Sequence, residues 1–102
     1  MAAAFVRQTE VLVESAIALR EAVHRLRKSR KLSELSDKLI EVHRLENVGD
    51  DNNHAAVSAL YDGTKDPLHV IKWKEFYDLV EAAIDGCEDV TNTLERIVLN
   101  NG

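Results

Sequence analysis

One cysteine, one proline and few aromatic residues occur in these 102 residues, and each shortage excludes a class of protein. Cys87 alone can neither close an internal disulfide nor complete a thiolate metal pattern, which fits a reducing, cytoplasmic setting. No uninterrupted apolar run approaches the ~20 residues needed to cross a bilayer, so contact with a membrane is expected to be peripheral at most. The opening MAAAFVRQTE has no basic segment followed by a hydrophobic core and cleavage site, and the chain is read as unexported. A nucleophile elbow, a glycine-rich phosphate loop and a zinc-protease signature are all missing, which argues against an enzyme. The net charge of −5 argues against a general nucleic-acid binder. Arg20, His24, Arg25, Arg27, Lys28, Arg30 and Lys31 do form a local basic block. It reads either as a phosphate-binding patch or as a solvated helix end whose charges suit the C-terminal dipole.

What is present is helical periodicity. Thr9, Leu12, Ala16, Leu19, Val23 and Leu26 recur at alternating spacings of three and four, the stripe by which a helix buries one face. A second helix is expected to start after Ser33, with Ser33 as its cap, and to run through Leu35, Leu39 and Val42 to about Leu60. In YDGTKDP, Asp62-Gly63 suggests a left-handed stop and Asp66-Pro67 a cap followed by a first-turn proline. Trp73, Phe76, Val80, Ala83, Cys87, Val90, Leu94 and Ile97 then trace a third stripe. The expectation is an all-α, antiparallel three-helix bundle in a single domain spanning 1–102, with helices over about 3–30, 34–61 and 67–100. Phe5, Val6, Val11, Val13, Ile71, Tyr77 and Ile84 lie off or at the margin of these stripes. They suggest a second apolar surface and a homo-oligomer.

HRLENVGDDNN, His43 to Asn53, interrupts the second helix where leucines are expected. At 100° per residue from Leu39, Glu46 falls near about −20°, Asp50 near about +20°, His43 near about +40° and Asn53 near about −40°. Burying an unpaired carboxylate costs several kcal/mol. A polar interruption of this kind therefore needs a counter-charge, a metal ion or a wet surface. Gly49 weakens the helix by roughly 1 kcal/mol relative to alanine, which suggests that something approaches closely there. On the third helix Asp85 and Asp89 are again four apart, with Glu88 beside them. Two such pairs make a hard-ligand inventory suited to iron, manganese, magnesium or calcium. Counted from Cys87, however, Asp85 and Asp89 lie near about ±160°, opposite the third stripe. Either the helices pack obliquely or these acids are solvated. His43 and His54 are candidate auxiliary ligands, His24 and His69 read as surface residues, and Cys87 reads as a small buried hydrophobe.

From Ala18 onward, ALREAVHRLRK, EVHRLENVGDD and DPLHVIKWKEFYDLVEAAIDGCEDVTNTLERIVLNN resemble the C-terminal half of the PhoU-like family of phosphate-transport regulators, in its PhoU-related branch. The resemblance implies one bundle of a two-bundle fold, with an acidic signature on two helices that holds iron or other metal ions. Carried over, the signature falls on Glu46 to Asp50 and Asp85 to Asp89, so the implied metal set is Glu46, Asp50, Asp85 and Asp89, with Glu88 as an additional ligand. Relatives usually place an acid and then an alanine in the middle of the first signature, where this chain has Val48 and Gly49. One potential ligand is therefore missing. The family also normally has two bundles per chain, and two copies of a single bundle could pair to imitate them.

The implied function is that of a non-enzymatic accessory regulator of phosphate transport or signalling: a metal-binding module that docks on a phosphate transporter or its signalling partner. The alternative is a structural or oligomerisation module that has lost metal binding. A di-metal enzyme is disfavoured because a single Glu-x-x-His, Glu21 to His24, occurs where such a site takes two, on different helices.

Overall fold

The structure, a computed structural model, describes residues 2–29, 31–63 and 66–101. It consists of α1 (Ala2–Lys28), α2 (Leu32–Gly63) and α3 (Pro67–Asn101), and among the described residues there is no strand. Three layers of core fix the topology. Ala22 of α1 packs with Leu35 and Leu39 of α2 and with Leu94 and Val98 of α3. Val11 meets Leu45 and Ile84, and Ala56, Leu60 and Tyr77 close the far end beside Phe5 and Trp73. Positions rise along α1 and α3 as they fall along α2, so the bundle runs up, down and up. Each helix touches the other two, and the molecule measures 54 × 21 × 16 Å.

The helix ends differ in detail from the expectation. α2 begins at Leu32, before Ser33, and its first turn is closed by Glu34 N–H donating to the Lys31 carbonyl at 3.0 Å. The Arg25 guanidinium, near the end of α1, donates to the Glu34 carbonyl and the Asp37 carboxylate, which ties the two helices together across their connection. Arg30 of the basic block lies outside the described residues. At the second break Gly63 is still helical, and no described glycine has positive φ, so the expected left-handed stop is not found there. Asp66 does cap α3: its carboxylate accepts from Leu68 N–H at 3.1 Å, and Pro67 takes the first helical position, where a missing N–H is harmless.

The buried faces are turned relative to the expected stripes. In α3 the centre is Tyr77, Ile84, Thr91 and Val98, whereas Phe76, Ala83, Val90 and Ile97 are exposed. Val11, Tyr77 and Ile84, expected at the margin, are at most 1% exposed. α1 is turned in the same way, with Val11, Ser15, Ala18 and Ala22 buried and Ala16 and Val23 exposed. The physical reason is that each helix contacts two neighbours. Its buried sector is centred on the line between them, and Leu12, Leu19 and Leu26 occupy a flank. Small side chains at that centre let the helices approach, and the hydroxyls of Ser15 and Thr91 are satisfied by the carbonyls of Val11 and Cys87, both at 2.9 Å.

The close approach expected at Gly49 is part of this packing. A Cβ there would stand 3.0 Å from Ile84 Cδ1 and 3.5 Å from Val11 Cγ1. Gln8 of α1, fully buried, donates to the Gly49 carbonyl at 2.9 Å. The neighbours of Gly49 are thus core side chains from both other helices.

Candidate metal centre

The turn of α3 decides which acids meet. With Tyr77 and Ile84 at the centre of the buried face, Glu81, Asp85 and Glu88 fall at spacings of four and three on the shoulder toward α2. α2 buries Leu35, Leu39, Val42 and Leu60 as expected, and Leu45, Gly49, Asn53 and Ala56 complete that face, which leaves Glu46 and Asp50 half-buried on the shoulder toward α3. The two shoulders form a ridge of five carboxylates along the α2–α3 edge. The expected opposition of Asp85 to the third stripe disappears because the stripe itself is displaced.

The ridge is electrostatically crowded. Burial pushes the Glu46 carboxyl above its ordinary value, and the charges of Glu88, Asp85 and Asp50, with a hydrogen bond to Asp85, push it the same way. Glu81 is also raised, by burial first, then by a hydrogen bond with Asp50 and the charges of Asp85, Asp50 and Asp78. Crowded acids of one sign disfavour one another's charged form, and burial adds to the effect. Asp89 is exposed and is not among the groups acting on Glu46 or Glu81. Its carbonyl accepts from the Thr93 hydroxyl at 3.0 Å.

An amide and two imidazoles border the acids. Asn53, 8% exposed, donates through Nδ2 to Glu81 Oε2 at 2.6 Å, and its Oδ1 is buried without a hydrogen-bond partner. His43 Nδ1 lies 3.0 Å from Glu88 Oε2, and His54 Nε2 lies 3.6 Å from Asp50 Oδ1. His24 is exposed, while His69 is partly buried near Trp73. Cys87 is partly buried, and burial pushes its thiol up, which leaves it a poor metal ligand at neutral pH.

Of the sequence-derived set, Glu46, Asp50, Asp85 and Glu88 are thus brought to one edge, and Asp89 is turned outward. Glu81 was missed, although its spacing of four from Asp85 was visible. The donors are all hard oxygens, the chemistry that iron, manganese or magnesium prefers. As the side chains lie, no three His, Cys, Asp or Glu among the described residues stand in a metal-chelating arrangement. Glu81 and Glu88 each engage one carboxylate oxygen with Asn53 and His43.

Over 71 residues the chain is 28% identical to UPF0111 protein YkaA of Bacillus subtilis (strain 168), a match covering 70% of this chain and 35% of that protein. No family model matches the sequence, and no solved structure matches it. The chain spans little more than a third of the length of the curated relative. The similarity is a distant homology that links the chain loosely to the UPF0111 proteins.

Proposed function

We propose that the chain is a PhoU-like accessory regulator of phosphate transport or signalling, equivalent to the C-terminal bundle of that family. It acts without catalysis, as a metal-binding and protein-docking module in the cytoplasm. The observation that carries this reading is the ridge of Glu46, Asp50, Glu81, Asp85 and Glu88. Five carboxylates from two helices share one edge, and two of them are raised by burial and mutual repulsion.

A hard cation would be held by Glu46, Asp50, Asp85 and Glu88, with Glu81 beside them. Bound there, it supplies the positive charge that the ridge lacks. The carboxylates orient toward it, the repulsion between α2 and α3 falls, and the edge becomes a fixed charged surface for a phosphate transporter or its signalling partner. The partly exposed Asp50 and Glu88 side chains let an ion reach the ridge from solvent.

A second reading has its own support. Glu81 and Glu88 already have Asn53 and His43 as partners, as expected of a structural module in which metal binding has been lost. Titration of metal-free protein with iron(II), manganese or magnesium separates the two. The regulator reading expects saturable heat and a higher melting temperature, both removed by Asp50→Asn with Asp85→Asn. No heat and an unmoved melting temperature at millimolar cation would leave the structural module.

A further inference from the structure

Acids and cations keep to different parts of this bundle. Residues 20–31 hold six of the thirteen lysines and arginines and one of the eighteen acids. Arg25 is spent on Asp37, whereas Arg20, Arg27, Lys28 and Lys31 are exposed and, among the described residues, none of them stands in a salt bridge. Rotation by 100° per residue from the buried centres of α1 and α3 turns Val23, Leu79, Val90 and Ile97 to the face between these two helices, with Arg20 and Arg27 along its α1 border. The same rotation puts Glu10, Glu14 and Glu21 on the side of α1 toward α2, and Asp89 on the far side of α3. Glu75 borders the face only at the opposite end of the bundle. The half of the face that ends at the C-terminus of α1 thus combines cations with exposed aliphatics and holds no carboxylate. Val23 and Ile97 are 39% and 40% exposed, Val90 is 44% exposed, and Leu79, 68% exposed, carries the apolar surface on toward the other end.

We propose that this face is a contact for an anionic lipid membrane, with Val23, Val90 and Ile97 toward the acyl boundary and Arg20, Arg27, Lys28 and Lys31 among the headgroup phosphates. Charge complementarity selects an anionic occupant, because juxtaposed cations without carboxylates gain from a negative surface within a Debye length. The aliphatics beside them select a lipid one. Free phosphate and nucleic acid offer nothing to Val23 and Ile97, whereas a bilayer offers apolar depth directly beneath its phosphates. The arginine stems span the same step, apolar below and charged above. Four partly exposed aliphatics fall well short of the ~800 Å² per partner of a specific protein interface, and a lipid surface requires no matching shape. Segregation of charge also sets the orientation. On a chain of net charge −5, only the cationic end is attracted to a negative surface, and the carboxylate ridge lies on a different face. No described helix is long and apolar enough to cross a membrane, so the bundle lies on the surface. The contact is independent of metal on the ridge.

Co-sedimentation of the full chain in chelator tests this, with vesicles of equal parts phosphatidylglycerol and phosphatidylcholine. Binding at about 0.05 M salt is expected to exceed that to phosphatidylcholine alone at least about tenfold, and to weaken about tenfold at about 0.5 M salt. Arg20→Glu with Arg27→Glu should lower it about tenfold, whereas Arg44→Glu with Arg96→Glu, two exposed cations away from this face, should leave it within about twofold. Val23→Asn with Ile97→Asn, which keep the charge, should lower it about fivefold with the helical circular dichroism retained. Val90→Asn should act in the same direction, and replaces the pair if the pair loses helix. No binding to the mixed vesicles at the lower salt, equal binding to both kinds of vesicle, or equal losses from the two arginine pairs overturns the proposal. So do asparagine variants that bind like the wild type, since charge alone would then hold the chain. Retention on polyglutamate without binding to vesicles overturns it as well, in favour of an acidic protein partner.

Discussion

Gly49 and Gly86 are the same residue type in the middle of long helices, and their surroundings make opposite predictions. Gly49 is buried against Ile84 and Val11, in a core that has no slack for a branched side chain. Gly49→Val should destabilise the chain by about 1–3 kcal/mol through overpacking, as read from urea unfolding. Ile84→Ala in the same chain should recover part of that loss, because it vacates the volume that the new methyl groups need. Gly86→Ala meets open space and should instead stabilise by about 0.5–1 kcal/mol. A Gly49→Val that leaves stability unchanged would mean that α2 and α3 are not in the register described.

At the scale of the element, α3 shows what a sequence can and cannot disclose. Its length, its helical character and the Asp66-Pro67 start follow from local chemistry, since capping and periodicity are properties of neighbouring residues. Its rotation is a property of the bundle. Trp73, Val80, Cys87 and Leu94 belong to either of two stripes, one completed by Tyr77, Ile84, Thr91 and Val98 and the other by Phe76, Ala83, Val90 and Ile97. The choice falls to the first because Tyr77 packs with Leu60 and Phe5, and because Ile84 fills the space opposite Gly49. Both partners lie in other helices. That rotation also decides the candidate site. It carries Glu81 and Glu88 toward α2 and Asp89 away, so the acids were legible as a composition and their meeting was not. The Asn53–Glu81 pair tests the rotation directly. Asn53→Ala removes the donor to a half-buried carboxylate and should cost about 1–3 kcal/mol, and in an additional Glu81→Gln background most of that loss should vanish. Full additivity of the two substitutions would mean that the side chains do not meet.

Across the whole molecule, charge is segregated. The end formed by the C-terminus of α1 carries Arg20, His24, Arg27 and Lys28, all exposed, beside the Arg25 link to α2, and the carboxylate ridge runs along the α2–α3 edge. The raised Glu46 and Glu81 carboxyls make the ridge a source of pH dependence with a definite sign. A group that holds its proton more tightly in the folded than in the unfolded chain loses stabilisation as pH rises, because the folded state binds the extra proton. From these two groups, stability should therefore increase as the pH falls from neutral toward the ordinary carboxylate value of 4.5, and the gain should be complete below it. Glu41, held below its ordinary value by Arg44, acts in the opposite sense, but this pair is exposed to solvent and its contribution is small. The melting temperature is accordingly expected to rise as the pH falls from neutral toward 4.5, and Glu46→Gln with Glu81→Gln should flatten that rise while raising the value at neutral pH. A hard cation on the ridge would do at neutral pH what protons do in acid. Its binding should release protons, detectable as a dependence of the titration heat on buffer ionisation enthalpy, and should remove the pH dependence of melting. A melting temperature that is flat across this range in the metal-free protein would mean that the ridge is too well solvated for its charges to couple.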